Sequence, residues 1–122
     1  VPEDLLPIVT VAEKRTPLTY NDPALTRRLA KTFAQWFPAS QLTTVEPATY
    51  GEDFSHYGRT IHKVPISIFW VGGSDPQMLA EGRRAGKLTP SNHSNFWAPV
   101  PEPTLKTSIK AMSAAALELL GQ

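Results

Sequence analysis

Val64-Pro65-Ile66-Ser67-Ile68-Phe69-Trp70-Val71-Gly72-Gly73 is the stretch that decides how this chain is read. From Ile66 to Val71 only Ser67 is polar, and the rest are β-branched or aromatic. Such side chains fit a pleated surface, whereas in a helix they crowd the preceding turn. The run is too short for a stable helix and has the length of a strand. Its near-continuous apolar character predicts an interior strand covered on both faces, and Gly72-Gly73 ends it.

On the N-terminal side, Asn21 or Asp22 can cap free backbone N–H groups, and Pro23 suits a first helical turn. Leu25, Leu29, Phe33 and Trp36 or Phe37 then recur at helical spacing, and Pro38 stops the helix. Before it, Leu5-Leu6-Pro7-Ile8-Val9-Thr10-Val11 predicts a strand over about residues 8–14, ended by Pro17. After it, Leu42 to Val45 predicts a short strand closed by Pro47, and Tyr50 to Gly58 a turn leading into one or two helical turns. Residues 74–100 carry no period beyond a short helical turn near Pro76–Glu81. Pro90, Asn92, Asn95 and Pro99 mark a loop of a length that is usually functional. From Glu102 or Pro103 a second helix runs to about Leu120, with Leu105, Ile109, Met112, Ala116 and Leu119 or Leu120 as its apolar face and Gly121 as its end signal. Strand, helix, strand, helical turn, strand, loop, helix predicts an α/β fold, a sandwich layer of mixed sheet with covering helices.

Twelve Lys+Arg balance 11 Asp+Glu, giving a net charge of +1. The densest basic cluster, Arg83-Arg84-Ala85-Gly86-Lys87, is too short for an electrostatic stripe, so neither a nucleic acid nor a membrane surface is the expected partner. The sequence has no cysteine, which excludes disulfides, thiolate zinc sites and cysteine nucleophiles. No apolar run reaches the roughly 18 residues that span a bilayer. No signal peptide is read, and the compartment stays open between cytoplasm and periplasm.

The residues that carry chemistry are few. His56, His62 and His93 are the only histidines. His62 reads as an exposed connector, and His56 lies in the Glu52–Tyr57 turn. His93 sits in the long loop, where metal-binding and catalytic groups concentrate. Glu52 and Asp53 read first as the N-terminal acids of a helical turn; the alternative is that Glu52 faces a site. Trp70, Phe96 and Trp97 read as packing residues. One histidine does not hold a catalytic zinc, which needs three or more protein ligands, and no His-Glu-x-x-His spacing occurs.

In combination the motifs are more specific. Asn21-Asp22-Pro23-x-Leu25, Gly51-Glu52-Asp53-Phe54-Ser55, Val64-Pro65 with Phe69-Trp70-Val71-Gly72-Gly73, and Asn92-His93-Ser94-x-Phe96 follow in order. Pro99-Val100-x-Glu102-Pro103-Thr104-Leu105-x-Thr107 and Ala111-Met112 continue the series. Over about residues 15 to 121 the chain resembles the C-terminal portion of the zinc-dependent amidohydrolases of metallopeptidase family twenty: aminoacylases, hippurate hydrolases and related carboxypeptidases. The resemblance implies a zinc-peptidase-like α/β fold and a fragment of a larger two-domain protein. Residues 1–18 would close the lid domain, and residues 19–122 the catalytic domain. It implies that His93 is the last metal ligand and that Glu52 lies near the metal. It also implies one or two zinc ions in the whole enzyme, N-acyl amino acids or small peptides as substrates, and dimerisation through the lid. The other ligands and the general base would come from the missing N-terminal half, leaving the chain alone inactive. The alternative is a stand-alone, non-catalytic binding or structural domain descended from such an enzyme.

Overall fold

The computed structural model describes residues 1–48 and 51–121. Its backbone is built from three α-helices: α1 (Pro23–Trp36), α2 (Pro76–Arg84) and α3 (Pro101–Leu120). Short 3-10 turns occupy Glu3–Leu5, Ala39–Gln41 and Asp53–Arg59.

Helix α1 begins where the sequence predicts. The Asp22 carboxylate accepts the Leu25 N–H at 2.7 Å, and Pro23 fills the first turn, where its missing N–H costs nothing. Phe37 closes it, donating its N–H to the Phe33 carbonyl. Helix α2 repeats the device with Asp75, which accepts from Gln77 N–H, and Pro76. It extends past the expected helical turn to Arg84. There Gly86, at φ +61°, lets Lys87 N–H return to the Gly82 carbonyl.

Helices α1 and α3 pack against each other. The buried residues at the centre are Leu29 and Thr32 of α1 and Ala111, Ala114 and Ala115 of α3, with Ala114 only 1% exposed. Helix separation is set by side-chain size at the contact, and alanines permit a close approach. Arg28 clamps one end: its Nε donates to the Glu118 carboxylate and its Nη2 to the Glu118 carbonyl, each at 2.6 Å. Charge and hydrogen bonding thus meet near the C-terminal end of α3. At the other end of α1, Phe33 packs edge-on to Phe37 and to Phe69, and Lys110 of α3 lies 4.6 Å above the Phe37 ring.

The expected sheet is absent. The chain is 47% helical, and no strand or sheet occurs among the described residues. It is therefore not an α/β sandwich, partial or zinc-peptidase-like. The expected strands over 8–14, 42–45 and 66–71 fail for one reason: a strand exists only when a neighbour completes its ladder. Residues 8–14 and 42–45 are exposed coil. Residues 66–71 are irregular and without a strand neighbour, yet held in place. Asp22 N–H donates to the Ile66 carbonyl at 2.7 Å. The Asn21 carboxamide both donates to the Ile68 carbonyl and accepts from Ile68 N–H, at 2.8 Å each. Ser67 Oγ meets Thr26 Oγ1 at 3.0 Å. One bridge, Leu18 to Gly51, is the nearest approach to a ladder.

The result buries little. Accessible surface is 10717 Å², where a compact chain of 13.4 kDa would present about 6,500 Å². Much of the surplus is apolar. The α3 face expected to form core, Leu105, Ile109 and Met112, is 60–65% exposed, and Leu119 is 42% exposed. No helix is long and apolar enough to cross a membrane among the described residues.

Candidate functional site

His93 lies in the segment between α2 and α3, within a turn closed by Ser94 N–H donating to the Ser91 carbonyl at 2.8 Å. A second turn follows, in which Trp97 N–H donates to the Ser94 carbonyl and Phe96 N–H to Ser94 Oγ. The loop is moored beyond these turns. Trp97 Nε1 donates to Ser74 Oγ at 2.9 Å, and Val100 N–H to the Gly73 carbonyl at 2.8 Å. Gly73 leaves room at this mooring: a Cβ there would stand 3.1 Å from the Trp97 ring and 3.3 Å from the Pro99 Cβ, so a larger residue would push the ring aside. Trp97 and Gly73, read from sequence as a packing residue and a strand end, together tie the loop to the extended segment. The His93 side chain itself is exposed.

Glu52 takes the structural role open to it. It caps the turn Asp53–Arg59: its carbonyl accepts the Ser55 N–H at 2.9 Å, and its carboxylate receives the Phe54 N–H at a long 3.5 Å. Tyr50, the first residue of the expected turn, lies outside the described residues. Glu52, Asp53, Phe54, His56, Tyr57 and Thr60 line a shallow depression. Inside the turn, Ser55 Oγ is buried with no hydrogen-bond partner among the described residues. His56 and His62 are exposed.

No group of three or more His, Cys, Asp or Glu side chains that could hold a metal ion occurs among the described residues. His93 and Glu52 thus belong to no set of three or more such donors among the described residues. One imidazole falls short of the three or more ligands that zinc takes, so these residues do not by themselves fit the ion. Two features escaped the sequence reading. Asn21 was legible only as a possible helix cap, and its use as a partner for Ile68 has no local signature. The Arg28–Glu118 pair joins residues 90 positions apart, beyond the reach of any spacing rule.

No family model, curated protein or solved structure matches the chain.

Proposed function

We propose that the chain is the C-terminal segment of a metal-dependent amidohydrolase or peptidase acting on N-acyl amino acids or small peptides. In this reading His93 contributes one metal ligand and Glu52 stands near the site. The observation that carries the proposal is the His93 loop. It presents an exposed imidazole on turns moored at both Ser74 and Gly73, as a ligand delivered to a site completed by other residues would be. The ordered series of motifs from Asn21 to Met112 is its second support. The surplus of exposed apolar surface favours a segment that packs on further polypeptide over a self-contained binding domain.

The test reads the frame upstream of the Val1 codon and assays what it encodes. A His-x-Asp motif, a further Asp ligand and a Glu-Glu pair upstream are expected, with zinc-dependent hydrolysis of N-acyl amino acids by the longer product. His93→Ala in that product should abolish hydrolysis and lower bound metal, while the 122-residue chain alone stays inactive. Full activity and full metal content in the His93→Ala enzyme would refute the assignment, as would hydrolysis by the isolated chain.

A further inference from the structure

The turn Asp53–Arg59 presents two aromatic rings on a backbone fixed from behind. Gly58 lies against the buried Ile66, where a Cβ would stand 3.1 Å from the Ile66 side chain. Arg59 Nη2 donates to the Leu18 carbonyl at 3.3 Å, and Ser55 N–H closes the start of the turn on the Glu52 carbonyl. Phe54 and Tyr57 stand with ring centroids 5.5 Å apart and planes tilted at 52°, and Tyr57 is 63% exposed. Both rings line the depression shared with Glu52, Asp53, His56 and Thr60, and most of the surface it presents is apolar. Its volume, about 540 Å³, lies within the range of small-molecule sites.

The two ends of an N-acyl amino acid differ in what this place offers them. The amino-acid end carries a carboxylate, which the side chains of Glu52 and Asp53 at the depression repel. The acyl end is uncharged, and an aromatic or longer alkyl group gains by leaving water against the rings. We propose that Phe54 and Tyr57 receive the apolar acyl group of the substrate, with Glu52 and Asp53 turning the carboxylate end away. Aromatic and longer alkyl acyl groups are then favoured over acetyl. The identity of the ligand rests on the amidohydrolase reading, whereas the depression and its charge pattern do not.

NMR of the 122-residue chain tests it, following the Phe54 and Tyr57 ring resonances during titration with N-benzoylglycine, N-acetylglycine and benzoate. N-benzoylglycine should shift both rings saturably, since the amide linkage holds its carboxylate clear of the two acids. N-acetylglycine lacks the apolar group and benzoate carries its carboxylate directly on the ring, so each should bind at least about tenfold more weakly. Phe54→Ala and Tyr57→Ala should each weaken N-benzoylglycine at least about fivefold. Tyr57→Ala cuts back an exposed side chain, so it decides the matter if far-UV circular dichroism shows that Phe54→Ala disturbs the fold. Joint Glu52→Gln and Asp53→Asn substitution should admit benzoate as readily as N-benzoylglycine. The absence of any saturable shift overturns the proposal, and would leave the rings as a surface for further polypeptide. N-acetylglycine binding as tightly as N-benzoylglycine overturns it as well. Neither readout involves metal or hydrolysis, so failure here leaves the amidohydrolase reading standing, and failure of that reading shows instead in the metal content of His93→Ala.

Discussion

Asn21 holds the extended segment with one carboxamide, its oxygen accepting from Ile68 N–H and its nitrogen donating to Ile68 C=O. Both backbone groups are part-buried, so neither is freely returned to water when the side chain is cut away. Asn21→Ala is expected to cost about 1–3 kcal/mol in urea unfolding. Asn21→Asp, which keeps the acceptor but sets a carboxylate oxygen against the Ile68 carbonyl, should cost at least as much at neutral pH. An unchanged midpoint in Asn21→Ala would mean that the Asp22–Ile66 and Thr26–Ser67 hydrogen bonds and the packing of Phe69 hold the segment without it. Glu118 gives a pH-dependent counterpart. The hydrogen bond from Arg28, first, and its charge hold the Glu118 carboxyl below the usual carboxylate value, against an opposing push from partial burial. A folded-state value below the unfolded one gives stabilisation that is complete above the ordinary carboxylate range. It is lost as pH falls through the folded value. The Tm difference between wild type and Glu118→Gln should therefore shrink on going from about pH 6 to about pH 3. A difference constant over that range would show that the pair is not coupled to folding.

The helices show which parts of the sequence could be read and which could not. The start of α1 was legible because Asp22 and Pro23 act on their own helix, through bonds three residues long. The start of α2 obeyed the same chemistry, although the sequence marked only a helical turn there. The core face of α3 was not legible. Size and apolarity point to Leu105, Ile109, Met112 and Leu119, whereas the buried face is Ala111, Ala114 and Ala115. The large residues have no sheet to receive them, and contact with α1 selects side chains small enough for close approach. Among site residues, Glu52 was legible as a cap because that bond is local, and the mooring of the His93 loop was not, since Trp97 reaches back to Ser74. The same contrast predicts the outcome of filling the helix contact. Ala114→Leu adds carbon where Ala114 is 1% exposed, and should cost about 1–3 kcal/mol by overpacking. Met112→Leu, on the exposed face, should change stability by less than about 0.5 kcal/mol. Thermal unfolding of both distinguishes the faces. If Met112→Leu were the costlier change, the α3 face assigned to the core would be wrong.

At the scale of the whole molecule, the decisive quantity is how little surface folding removes. An extended chain of 13.4 kDa exposes about 19,400 Å² and a compact one about 6,500 Å², so a compact fold would bury about 13,000 Å². This chain, at 10717 Å², buries about 8,700 Å², roughly two-thirds of that. The denaturant m-value scales with surface exposed on unfolding, so it should be about two-thirds of the value for a compact domain of this length. The α3 stripe, with Leu105, Ile109 and Met112 at 60–65% exposure, is available to a larger body. If the proposed function holds and this chain is one segment of a longer amidohydrolase, the m-value of that longer protein should exceed the sum of its parts, because the stripe becomes buried. An m-value already at the compact level for the 122-residue chain would mean that the exposed faces fold onto one another in solution, and the case for a missing partner would lose its physical basis.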